Sequence, residues 1–356
     1  MSRWAISVLT SLLLASLALA QDEVVVTWSL QPAVSSPPPF YQFIGDETSS
    51  EMSDLVARWL QWDEGEPLRT ESSHEMLRVA VWKQSRAWTL MLWNSAPQKA
   101  KVTIRGELPA GVYTVERLRL GPGAMPLALE RRNGLQQRAA GGIQRTEWLD
   151  GHSGLALRFV ERGQVVGETL SALRQSIWRS EVSRGVLSRL AALLREAGSH
   201  WYQVRASLRR GDQRMSARGV HRMLFLVSGM RAASSKYPGA EQVTAQAEQL
   251  LDALSELSSA VLSPVICVQQ QGRSLRVQVV NAGGQVWRAL RLTAPQSDAV
   301  VLANMKPMER AETTFTLPTE EEEVTIVASI LFNGGYSRLK MTSLPTKPAA
   351  QKEEQP

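Results

Sequence analysis

The sequence predicts a multidomain chain of mixed α and β structure: an N-terminal antiparallel β-sandwich, a central helical bundle and a second, smaller β-sandwich at the C-terminal end. The period of the apolar residues carries most of this, since they alternate as in strands up to about residue 167 and again from 263, and recur every three or four residues between. Clusters of Gly, Pro, Asn and Ser cut both alternating regions into short segments, the pattern of sandwiches. A length of 356 residues, 44% hydrophobic and 21% charged, suffices for two or three packed domains.

Met1 to Ala20 reads as a signal peptide. Arg3 gives a positive start, Ala5 to Leu17 an apolar run of the right length, and Ala18-Leu19-Ala20 a small-residue site with cleavage after Ala20. The run is too short to span a bilayer and Gln21-Asp22-Glu23 follows it at once, so an anchoring helix is excluded. No later stretch is apolar for long enough to cross. The chain is therefore expected to be exported, periplasmic or extracellular, with no membrane span after signal removal and no nucleic acid as partner. Its one cysteine, Cys267, excludes an internal disulfide and reads as a small buried hydrophobe in Val265-Ile266-Cys267-Val268.

Residues 21–167 form the first predicted domain. Val24, Val26 and Trp28 alternate along a strand, and Pro37-Pro38-Pro39 then lays the chain out extended. A short helix follows near 50–62, capped by Ser50, with Met52, Leu55, Val56, Trp59 and Leu60 on its apolar side. Strands are expected at Leu77 to Trp82, Ala87 to Trp93, Lys101 to Arg105, Val112 to Leu120, Ile143 to Trp148 and Leu155 to Val160. A slip in alternation between Val115 and Leu118 predicts a bulge.

The succession of Trp88-Thr89-Leu90-Met91-Leu92-Trp93-Asn94, then Val102-Thr103-Ile104, then Leu108-Pro109-Ala110-Gly111-Val112-Tyr113-Thr114-Val115 and Leu155 to Phe159 resembles the β-sandwich accessory domain that ends many bacterial glycoside hydrolases. The resemblance covers roughly 75–165. It implies a sandwich fold and the company of polysaccharides; hydrolysis is not implied, because no (β/α)₈ domain precedes it. Tryptophan faces stack on sugar rings, which makes Trp82, Trp88 and Trp93 the candidate ligand-binding residues. Trp82 shares the side of Arg78 and is expected to face outward, whereas Trp88 and Trp93 fit equally well in a core.

The bundle is expected over 168–262, with helix boundaries at Gly198-Ser199, Gly211-Asp212 and Tyr237-Pro238-Gly239. Leu170, Leu173, Ile177, Trp178, Leu190 and Leu194 mark one apolar stripe, and Met215, Met223 and Met230 read as core filler. The net charge of +6, which becomes +5 without Arg3, is concentrated here. Arg209, Arg210, Arg214 and Arg218 are the candidate patch for an anionic partner, unless a break at Gly211-Asp212 separates them or they form only a solvated face.

Residues 263–344 carry about seven short strands with turns at Asn281-Ala282-Gly283-Gly284 and Asn333-Gly334-Gly335. The series Val277-Gln278-Val279-Val280-Asn281-Ala282-Gly283, Met308-Glu309-Arg310 and Thr313 to Leu317 resembles the immunoglobulin-like modules of exported bacterial proteins, which implies a spacer or interaction role. Glu320 to Glu323 reads as a solvated loop, and 345–356 as a disordered tail.

Four histidines, His74, His152, His200 and His221, stand without metal-ligand spacing, so neither a metal nor another cofactor is expected. Phosphate loops and nucleophile elbows are absent. The expectation from sequence is thus a non-enzymatic scaffold or interaction protein of the bacterial envelope, partnered by an envelope protein or a polysaccharide. The alternative is a carbohydrate-binding accessory protein acting through aromatics of the first sandwich. A glycosidase-like enzyme with no recognisable site is the second alternative, since acid and base carboxylates are set by space and not by sequence.

Overall fold

The computed structural model describes residues 23–344 except 47–49, 63, 138–141, 211, 319–322 and 333–334. The expected signal peptide and tail lie outside these residues, as do Glu320 to Glu322 and the tip of the Asn333-Gly334 turn. Among the described residues the chain is mixed α and β, with six helices. A 12-stranded and a 4-stranded sheet complete it.

The first β region holds β1 (Val24–Pro32), β2 (Glu66–Ser72), β3 (Leu77–Lys83), β4 (Ala87–Asn94), β5 (Ala100–Gly106), β6 (Gly111–Leu120), β7 (Pro126–Gln137), β8 (Ile143–Leu149) and β9 (Ser153–Glu161). Its sheet folds over at β2, where Glu66 and Pro67 pair with β3 while Leu68 to Ser72 pair with β1. One layer, β2-β1-β5-β8, therefore faces the other, β3-β4-β9-β6-β7. Between them lie Val26 and Ile104 from the first layer and Leu90, Leu157 and Phe159 from the second. The layers are not wholly antiparallel as expected, because β1 runs parallel to β5. The intervening helices and strands give the long crossover that a parallel pair requires.

The outer face of β3-β4 is also covered. Helices α1 (Phe40–Ile44) and α2 (Glu51–Leu60) lie on it, and Ser50 caps α2 through a hydrogen bond from Ser53 N. Trp62 packs edge-on against Trp82 with ring centroids 4.8 Å apart. Every residue of β4 is consequently buried. The expected slip between Val115 and Leu118 does not appear there; β6 shifts register against β7 at Tyr113/Thr114 and at Arg119/Leu120.

Four helices follow β9: α3 (Arg162–Arg179), α4 (Arg184–Arg210), α5 (Gln213–Ser234) and α6 (Glu241–Leu262). Their shared core includes Leu173, Ile177, Leu190, Val204, Met223, Met230, Leu250 and Leu254. Three expectations are corrected. The first helix begins at Arg162 and stops at Arg179, where Ser180 donates back to the carbonyl of Ile177. Gly198-Ser199 is no break: α4 runs through it, and a side chain at Gly198 would meet nothing within 4 Å, so the glycine costs only its helix propensity. Trp178 and Met215, counted toward the apolar interior, are 61% and 47% exposed.

The chain then returns to sheet with β10 (Pro264–Gln271), β11 (Ser274–Asn281), β12 (Trp287–Thr293), β13 (Val300–Met305), β14 (Arg310–Thr316), β15 (Val324–Phe332) and β16 (Gly335–Ser343). Strand β10 pairs with β7 from Val265↔Arg132 to Val268↔Leu129, so both β regions share one continuous 12-stranded sheet. The small sheet β13-β12-β15-β16 closes the second core, in which Trp287 is fully buried.

A polar seal fixes the bundle to this sheet. Arg131 on β7, 4% exposed, donates to Glu256 on α6 and to the carbonyl of Lys340 on β16. Arg162 at the start of α3 lies 3.8 Å from the same carboxylate and donates to Thr114 Oγ1 at 2.9 Å. Asn133 donates to Ser259 Oγ at 2.6 Å, and Ser255 accepts from the N–H of Arg338 at 2.7 Å. Buried charge is tolerable only with such partners.

Candidate functional site

Where the open end of the first β region meets α3 and α4, the two surfaces part and leave a cleft of about 890 Å³. Trp88 on β4 and the segment Pro109 to Val112 form one wall; α3 and α4 form the other. Tyr113, fully buried beneath the first wall, donates its hydroxyl to the carbonyl of Pro109 at 2.7 Å and stands edge-on to Trp88 at 5.8 Å. Burial, with the nearby Glu161 charge second, pushes the Tyr113 phenol above its usual range, so it stays protonated and keeps that bond.

Glu161 ends β9 and caps α3, accepting from the N–H groups of Gly163, at 3.0 Å, and Gln164. Gly111 makes room for it, since a Cβ there would come within 2.9 Å of Glu161 Oε1. Burial raises the carboxyl above the usual glutamate value, opposed by the N–H groups of Gln164, Gly163 and Val112 and by the charge of Arg162. Two turns further along α3, Glu168 pairs with Arg86 at 2.5 Å and accepts from Gln164 Nε2 at 2.8 Å. Both carboxylates of the cleft thus have partners inside the protein.

Its cations do not. Trp201, Arg205 and Arg209 recur at every fourth residue of α4, a single helical stripe turned to the cleft, and neither arginine has an ion pair or hydrogen bond among the described residues. Both are exposed. Trp201 is 8% exposed and presents what remains of its surface at this wall. The indole N–H of Trp88, although buried, has no acceptor among the described residues. Exposed guanidinium donors beside a largely apolar wall suit a ligand rich in oxygen on its edges.

Of the residues singled out in the sequence, Trp88 and Arg209 are brought together here. Trp82 and Trp93 are corrected: they are 2% and 4% exposed, covered by the α1, α2 and Trp62 layer, and Trp82 reaches only a groove of about 280 Å³. Neither offers a stacking face. Trp88, 3% exposed, contributes at the wall and is no open platform. The arginine patch divides, because α4 ends at Arg210 and Asp212 caps α5 through Met215 N at 3.0 Å. Arg210 and Arg218 are exposed away from the cleft lining, and Arg214 lies within α5. Cys267 is half-buried and free, its thiol held above the usual value chiefly by burial and then by Glu130. Trp201, Arg205, Glu161 and Gly111 were not singled out, although the fourfold spacing of Trp201, Arg205 and Arg209 was present to be read.

No group of three or more His, Cys, Asp or Glu that could hold a metal occurs among the described residues. Nor is any described helix long and apolar enough to cross a membrane.

No protein-family model and no curated protein matches the chain. Solved structures of bacterial glycoside hydrolases align with it in part. A family 30 endoxylanase from Clostridium papyrosolvens is 9% identical over 30% of this chain and 26% of its own, with a TM-score of 0.24. A family 86 β-porphyranase from Bacteroides plebeius is 9% identical over 83% of this chain and 42% of its own, with a TM-score of 0.23. For a family 44 xyloglucanase from Paenibacillus polymyxa the identity is 6%, the shares 27% and 19%, and the TM-score 0.21. The chain thus spans less than half the length of each of these proteins. Alignments this shallow assign neither activity nor substrate. They do overturn the expectation of a non-enzymatic chain, since the aligned proteins are glycoside hydrolases, and that exclusion does not stand.

Proposed function

We propose that this chain is an exported carbohydrate-binding protein whose site is the cleft between the first β region and the helical bundle. The observation that carries the reading is the meeting of Trp88, Trp201, Gln164, Arg205 and Arg209 around one cleft of about 890 Å³, a volume within the range of small-ligand sites. We read the two β regions as sandwiches, the second with the strand pattern of immunoglobulin-like modules, and the signal-like start as the route out of the cytoplasm. Glu161 is engaged as a helix cap and Glu168 in an ion pair, so binding is what this geometry supports best. In a glycan array with the full chain, one or more oligosaccharides bind, and Trp201→Phe and Gln164→Trp weaken them. Absence of any glycan signal, or binding indifferent to both substitutions, overturns the reading.

A second reading, in which the bundle docks another envelope protein, is supported by three exposed aromatics, Trp178 at 61%, Tyr202 at 77% and Phe225 at 73%. It requires that replacing all three by serine abolish a cross-linked heteromeric species formed by the wild-type chain in envelope extracts. An unchanged cross-linking pattern removes it.

A further inference from the structure

Resting on the carbohydrate reading, the pairing of charges within the cleft says more than their number. Each acid that lines it is engaged: Glu161 by N–H groups at the start of α3, Glu168 by Arg86 and Gln164. Arg205 and Arg209 are not, even though the fold elsewhere gives partners to arginines in partly or fully buried places: Arg131 and Arg162 share Glu256, Arg117 meets Glu147, and Arg158 lies 3.9 Å from Glu116. Two guanidinium groups one helical turn apart present forked donors that match the oxygens of an anionic group. Directly N-terminal on the same stripe, Trp201 shows the small exposed part of its indole at the cleft wall.

We infer that the ligand of this cleft is an anionic glycan, its carboxylate or sulfate held by Arg205 and Arg209 while the sugar lies along the wall beside Trp201. The two arginines act as the specificity-determining residues for acidic over neutral sugar. Because both are exposed and unpaired, removing them leaves the fold intact, unlike removal of the buried arginines of the seal.

The test is calorimetric titration of the full chain with an oligogalacturonate, a sulfated galactan oligosaccharide and a neutral xylo-oligosaccharide, at low and moderate salt. The wild-type chain, Arg205→Gln/Arg209→Gln and the control Arg210→Gln/Arg218→Gln are compared. Acidic oligosaccharides bind the wild-type chain and lose affinity as salt rises; the cleft double variant weakens them at least about tenfold, as loss of a charge-assisted contact implies, with an unchanged melting temperature. The control binds as wild type. The tighter of the two acidic ligands tells carboxylate from sulfate. Equal binding of the neutral sugar, or an unaffected double variant, overturns the anionic inference and leaves the carbohydrate reading standing. If none of the three binds and the glycan array is blank, the carbohydrate reading itself is lost.

Discussion

The start of α3 lies between two junctions of bundle and sheet that differ in kind. At the seal, Arg131 and Arg162 converge on Glu256, and hydroxyl, amide and carbonyl groups take up the remaining polar atoms. At the cleft, a few residues along the same helix, the surfaces part, and Arg205 and Arg209 on α4 have no partner among the described residues. The sequence supplies arginines to both. What separates them is burial: inside the seal an unpaired guanidinium would cost several kcal/mol, whereas at the cleft it stays hydrated until something anionic displaces the water. The seal is therefore an element of position, and the cleft one of binding.

The largest expected effect breaks the seal. Glu256→Ala leaves Arg131 and Arg162 buried together without a carboxylate, and a loss of about 3–5 kcal/mol is expected in denaturant unfolding. Burial and the neighbouring Arg131 already push the Arg162 guanidinium below its usual value. Folded molecules of this variant still bind glycan, since no cleft residue has changed.

Tyr113→Phe is the next largest. It deprives the Pro109 carbonyl of its donor beneath the cleft wall, at about 1–3 kcal/mol in stability. Glycan affinity falls with it, which the seal variant does not show; equal affinity in both variants would mean that the wall is not part of the site.

A smaller effect concerns pH. Glu161 holds its proton more firmly folded than unfolded, so between its unfolded value near 4.5 and its raised folded value the native chain binds more protons. Stability therefore falls as pH rises through that window and levels off above it. Glu161→Gln keeps one acceptor for the cap and removes this component of the slope, as melting temperatures taken from about pH 4 to 8 would show.

The smallest effect is the sharpest for the comparison: Arg205→Gln/Arg209→Gln changes stability by less than about 0.5 kcal/mol, the ordinary range for exposed substitutions. A large loss on thermal melting would make these arginines structural and erase the distinction between the junctions.

How much of this was legible beforehand follows from what periodicity encodes. Alternation along Leu77 to Trp82 marks a strand with two faces, but not that α1, α2 and Trp62 cover the second face, which is why Trp82 is buried against the expectation. The α4 stripe of Trp201, Arg205 and Arg209 was present in the spacing, whereas its companion Trp88 reaches it only through tertiary packing. The helix break fell at 180–183, where serines offer local hydrogen bonds, and not at Gly198, because a half-buried glycine with open space beside it is tolerated within a packed helix. The union of β7 with β10 across the helical insertion has no local signature at all, since register between distant strands is set by the assembled core.

Hydrogen exchange on the full chain, with and without a saturating acidic oligosaccharide, tests the separation of the two junctions most directly. The account predicts slowed exchange in 109–112, 161–168 and 201–209, with residues 255–259 and 337–340 at the seal unchanged. Protection that falls on the seal, on the outer face of β3-β4 or nowhere contradicts it.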